Sequence, residues 1–182
     1  MRGYARDPRK WPVWQIQRRL LVAVLTVEAT AVLLVARLLV DELPDLTTLW
    51  RAGVLVGLGI AQAEIAVGIE RVRKQIGGPL HVDLCSVWTF AGALILPPVP
   101  GVGVAVVVHT HLWWRSWRPR VPLYKQLFST STVVLACLAA SAVGALARPD
   151  AAGLLGDLGV VTIVLALLAY DVVNSALVAA AI

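Results

Sequence analysis

The chain has 182 residues, 59% of them apolar and 15% charged, with a formal net charge of +5 and a mean hydropathy of +0.80. A water-soluble domain carries about a quarter charged residues, so too little polar material is present to cover a globule of this size, and a bilayer is the natural solvent. The basic residues fall in blocks between apolar runs instead of over one soluble face, which argues against a nucleic-acid partner.

A basic arm, residues 1–19, carries Arg2, Arg6, Arg9, Lys10, Arg18 and Arg19. The domain that follows, 20–182, holds six apolar stretches. The first, 20–40, is longer than the core of a cleaved signal peptide and is interrupted by Glu28, so it reads as an uncleaved anchor. The second, 46–69, also has the ~20 residues a spanning helix needs. The third and fourth, 82–97 and 99–115, are short and flank Pro97, Pro98 and Pro100. Backbone freed by proline is tolerated at membrane depth only where protein or water satisfies it, so 82–115 reads as a helical hairpin with its tip at the outer surface. The fifth and sixth, 124–147 and 156–182, are again long enough to span. The fold class is therefore all-α: a polytopic membrane protein of six transmembrane helices with a proline-rich hairpin between the third and fourth.

Charge gives the orientation, because Lys and Arg concentrate in short cytoplasmic loops. With the N-terminus inside, six spans put the arm, Arg71, Arg73 and Lys74, and then Arg115, Arg118, Arg120 and Lys125 on the cytoplasmic side. That is thirteen of the sixteen cations. The outer side receives Asp41, Glu42, Asp45, Asp150 and Asp157, with only Arg37, Arg51 and Arg148 near it. Adding or dropping one span would invert every later loop. The expected location is the plasma membrane, multi-pass, with both termini cytoplasmic. Trp11, Trp14, Trp50, Trp113, Trp114 and Trp117 stand at interface positions. The last stretch runs to Ile182 without a polar flank, which predicts a membrane region continued by further chain.

Ionisable groups in a bilayer are functional suspects by default. Glu28, Gln62, Glu64, Asp83, His109, Asp171 and Asn174 all fall in the cytoplasmic half of their helices, and form the candidate ligand- or proton-sensing set; holding helices together by hydrogen bonds is the plainer role for them. His81, Asp83 and Cys85 approach His109 and His111 in depth. However, two residues on a helix turn ~200°, so His109 and His111 cannot easily share one ion, and no metal site is expected. Gly53 and Gly57, and Ala136, Ala140 and Gly144, form small-residue stripes that let helices approach closely. Packing within the chain is their ordinary role and homodimerisation the alternative. Cys85 and Cys137 lie inside apolar runs and predict no disulfide. The loop RSWRPRVPLYK lies against anionic headgroups.

No G-x-S-x-G, phosphate-cradling glycine loop, paired Cys-x-x-Cys or H-E-x-x-H occurs, so neither an enzyme nor a cofactor is expected. The run HVDLCSVWTFAGALILPPVPG, then HTHLWW, YKQLFSTSTVVLACLAASAVG and YDVVNSALVA, over about 80 to 182, resembles the N-terminal membrane region of actinobacterial signalling proteins. There, such a region precedes cytoplasmic GGDEF or HD-GYP domains that make or degrade cyclic di-GMP. This chain has neither motif, so the resemblance implies an input module and no catalysis. The expected function is a membrane sensory module coupling a membrane or small-ligand signal to a cytoplasmic output domain. The alternative is the substrate-binding membrane subunit of an uptake transporter, similar to the six-helix components of vitamin-uptake systems, which calls for an outward-open pocket. The bilayer and an unknown small ligand are the expected partners.

Overall fold

The computed structural model describes residues 18–41, 44–74, 85–118, 121–146 and 157–181. Six α-helices follow one another: α1 (Arg18–Asp41), α2 (Leu46–Lys74), α3 (Cys85–Ile95), α4 (Pro98–Leu112), α5 (Leu123–Leu146) and α6 (Asp157–Ala179). A π-helical turn, Trp113–Trp117, extends α4. Among the described residues there is no strand. The helices fall on the six apolar stretches, because each stretch is long, unbroken and bounded by charge or proline. Residues 82–84, where the third stretch begins, lie outside the described residues, as does the arm through residue 17.

Four of the helices are long and apolar enough to cross a membrane, over Arg18–Val40, Leu46–Gly68, Leu123–Leu146 and Gly159–Ala179. At 1.5 Å per residue, α1 is about 36 Å long, more than the ~30 Å of hydrocarbon to be crossed. The 11 residues of α3 and 15 of α4 fall short of a span. Among the described residues, four of the six helices therefore have the length and apolar composition of a span, and two do not.

The two short helices occupy the middle. α4 touches α1, α2, α3 and α5, and Val104, Ala105 and Val108 on it are at most 1% exposed. Up to Val108 its sequence, PVPGVGVAVVV, is apolar on every side, the pattern of a helix packed among others, although Val106 and Val107 remain exposed. The long helices turn their apolar side chains outward instead: Val32 and Leu33 of α1, Ile65 of α2, and Leu165 and Leu168 of α6 are all exposed. Apolar surface on that scale is untenable in water and ordinary in lipid.

The centre is built from small residues. Ala31, Ala93, Ala105, Ala136, Cys137, Ala140 and Ala166 form one cluster together with Val102 and Tyr170. Ala63 of α2 packs on Val104, Val108 and Leu112 in a second. Between α3 and α4 the chain bends at Leu96 and Pro97. Pro98 then opens α4, where a missing N–H costs nothing and the fixed φ suits the helix. The Gly101 N–H closes the first turn on the Pro97 carbonyl at 3.0 Å.

Two glycines let α3 and α4 come together after that bend. A Cβ on Gly101 would lie 2.9 Å from the carbonyl oxygen of Gly92 and 3.2 Å from its carbon. Both obstacles are backbone, so neither can rotate away. At the start of α2, Asp45 caps the helix: its carboxylate accepts from the Thr48 N–H at 3.1 Å. Hydrogen bonds from the Thr48 side chain and backbone hold its pKa below the ordinary aspartate value.

Gly101→Ala should therefore force α3 from α4 and lower stability in detergent by about 1–3 kcal/mol, the usual cost of overpacking. Gly103→Ala, where a Cβ meets nothing within 4 Å, should be neutral or slightly stabilising. Equal unfolding midpoints for the two variants would contradict the close approach.

Candidate functional site

One group of polar residues lies at the end where α4 passes into the π-helical turn. His111 and Arg115 are four residues apart, a spacing that puts both side chains on one face, and that face looks at α2. The Glu64 carboxylate receives both: Oε1 lies 3.1 Å from His111 Nε2, and Arg115 Nε lies 3.0 and 3.2 Å from the two carboxylate oxygens. All three side chains are partly exposed. In water such pairs are worth little because solvent competes; at a membrane edge, where water is scarce, each charge depends more on its partners.

The turn itself is locked in place. The Arg118 N–H reaches back five residues to the Trp113 carbonyl at 2.9 Å, which is the π-helical bond. The Trp113 indole N–H donates to the Val121 carbonyl at 2.9 Å. The Arg118 guanidinium sits over Trp114 at 4.7 Å and Trp113 at 5.7 Å, a cation–π arrangement. This wrapping keeps Arg115 turned toward α2.

His109 points the other way, as the ~200° between it and His111 requires. It is 6% exposed, and its Nδ1 lies 3.1 Å from the Ala105 carbonyl. Gln126 of α5 packs beside it, donating from Nε2 to the His109 carbonyl and the Thr130 hydroxyl, both at 3.1 Å. The Gln126 carbonyl oxygen and the Ser116 hydroxyl are buried with no hydrogen-bond partner among the described residues. Gln62 accepts from the Trp88 indole N–H, tying α2 to α3.

The other predicted residues are placed elsewhere. Glu28 is half-buried on the α1 face that carries the buried Val24 and Ala31, with no hydrogen bond or ion pair among the described residues. Asp171 is exposed and Asn174 half-buried on α6, and neither has a polar contact among the described residues. Asp83 and His81 lie outside the described residues, as does the Cys85 side chain. Cys137 is buried as a free thiol, donating to the Thr89 carbonyl at 3.7 Å. No three His, Cys, Asp or Glu side chains among the described residues are grouped to hold a metal.

Ala136 and Ala140 are fully buried at the centre. Gly53 and Gly57 face outward, with nothing near either. The glycines that do meet a neighbouring helix are Gly59, Gly92 and Gly101. A Cβ on Gly59 would meet Val108 Cγ2 at 2.9 Å.

Residues that the sequence pattern did not single out include Arg115, Gln126, Thr89 and Tyr170. The Tyr170 hydroxyl lies 3.1 Å from that of Thr89. Since Thr89 already donates to the Ser86 carbonyl, Tyr170 is the donor. Phe90 meets the Tyr170 ring edge-on at 5.7 Å. α6 is thereby joined to α3 as well as to α5. At the opposite end, α1, α3 and α5 surround an open cavity of about 640 Å³ beside Pro97 and Pro98.

No protein-family model matches the chain, and no curated protein or solved structure is similar enough to it to count as a match.

If Glu64, His111 and Arg115 act as a unit, their substitutions will not add. Glu64→Gln and His111→Gln should each lower the unfolding midpoint in detergent, and the double variant should lose little more than the worse single. Strictly additive losses would show that the contact carries no energy.

Proposed function

We propose that this chain is a membrane sensory or input module of six spans, with both ends at the cytoplasmic face. The carrying observation is the Glu64–His111–Arg115 cluster. It joins α2 to the end of α4 through one carboxylate and two basic partners. A sensory role requires that a signal bind two arrangements of this contact unequally. The resemblance to membrane regions that precede GGDEF or HD-GYP domains supports the same role, with the output in a cytoplasmic domain beyond this chain.

In this reading α3 and α4 form a proline-tipped hairpin that completes the span count. The Arg-rich connections stay inside, and the cluster lies at the inner headgroup level. α6 carries the signal out. Its attachment to α3 runs through the Tyr170–Thr89 hydrogen bond, so a shift of α3 against α2 reaches it directly. The exposed faces of α2 and α6, with Gly53, Gly57 and Asp171, are where a second copy would pack. A second reading, the substrate-binding subunit of an uptake transporter, is favoured by the cavity beside Pro97.

Spin labels at positions 123 and 178, in a background lacking Cys85 and Cys137, report how α6 sits against α5 in reconstituted protein. The sensory reading predicts a distance distribution that changes when the cluster is broken by Glu64→Gln or His111→Gln. An identical distribution in the unaltered protein and both variants would leave the cluster a structural tie. The transport reading predicts no such movement and ATP-driven solute accumulation when the chain is expressed with transporter partners.

A further inference from the structure

The cavity at the Pro97 end combines features that no part of the proposed cluster shares. It is bounded by Leu34 and Leu38 of α1, Leu138 and Ser141 of α5, the end of α3, and Pro97. Most of that lining is hydrocarbon. Its polar side chains are Ser141 and Arg37; Arg37 sits with Leu34 and Leu38 on one face of α1 and is the one formal charge among the lining residues. Arg37 makes no ion pair or hydrogen bond among the described residues. It stands one turn, about 6 Å, short of the end of α1, the depth at which a long basic side chain reaches a headgroup.

A volume of about 640 Å³ falls in the range of small-molecule sites, roughly 300–1,000 Å³. Gly144 borders the same open space. It is buried and lines the cavity, yet a Cβ built on it meets nothing within 4 Å. Buried glycines elsewhere in this bundle, Gly59 and Gly101, are instead pressed against their neighbours.

A guanidinium at the mouth of an apolar slot selects one kind of occupant. An aqueous anion would lose its hydration against hydrocarbon walls, and a neutral chain would leave the cation unanswered. A chain with an anionic head fills both parts. The planar fork of Arg matches a carboxylate or a phosphate with two parallel hydrogen bonds. The geometry points to a binding site for a single-chain amphiphile with an anionic head, its tail between α1, α3 and α5 and its head on Arg37. The site depends on the membrane placement of the chain and is independent of the Glu64 cluster. It serves the sensory and the uptake readings alike.

Native mass spectrometry of the full chain, released from non-ionic detergent, tests this with palmitate, lysophosphatidate and hexadecan-1-ol as probes. One saturable adduct is expected for each anionic probe, with the alcohol at least tenfold weaker. Arg37→Gln should bring the anionic probes down to the level of the alcohol and leave the alcohol unchanged. Gly144→Leu, which grows into open space and should fold, should remove the adduct with all three. A preference between palmitate and lysophosphatidate would name the head group and support the site. Equal binding of acid and alcohol, full binding by Arg37→Gln, or an undiminished adduct in Gly144→Leu would overturn it.

Discussion

Helices surrounded by lipid gain nothing by hiding apolar side chains from it, since the tails outside are as apolar as leucine. What fixes such a bundle is close packing, and close packing needs backbones that can approach. In this protein the approach is made where Gly101 meets the carbonyl of Gly92. Contact between those backbones lets the short α3 and α4 pack directly on each other. They then form the middle on which α1, α2 and α5 lean, while α6 packs on α5 and reaches α3. The alanine-rich centre follows from the same requirement: Ala105, Ala136, Ala140 and Ala166 are all fully buried, because larger side chains would hold the helices apart.

With the packing settled by small residues, the polar groups are left to join particular helices. Glu64 ties α2 to the end of α4, Gln126 ties α5 to His109, and Tyr170 ties α6 to α3. Each bond crosses between elements that otherwise meet through hydrocarbon, so each fixes a relative height and rotation that van der Waals contact alone would leave loose. The proposed signalling role uses this division. A bundle held by shape in the middle and by a few polar bonds at its margins can shift at the margins without coming apart. The cavity lies at one margin and the ion cluster at the other, with the Thr89–Tyr170 contact on the helix that borders the first.

The helices themselves were legible in the sequence, since long apolar runs bounded by charge or proline leave few choices of boundary. The opposed directions of His109 and His111 were legible too, from the turn angle alone. The position of Arg115 was concealed because it reads as one of several loop cations; the π-helical turn keeps it on the helix, four residues from His111 and on the same face. Glycine spacing did not distinguish contacts within the chain from an outward face. Gly53 and Gly57 have the spacing of a packing motif and face open space, whereas Gly92 and Gly101 are nine residues apart across a proline, a separation with no helical periodicity. Their contact exists only once the chain has turned at Leu96. Depth along the sequence likewise did not bring Glu28 and Asp171 to Glu64, because residues at one height can face opposite sides of a bundle.

The account depends most on lipid surrounding these helices with the arginine-bearing connections held inside. Labelling of single introduced cysteines by a membrane-impermeant maleimide in intact cells tests it directly. Positions within 70–81 and 115–125 should stay unlabelled until the cells are opened, and positions 42–45 should label at once. Labelling of the first two segments in intact cells, or a chain that purifies as a monomer without detergent, would contradict it.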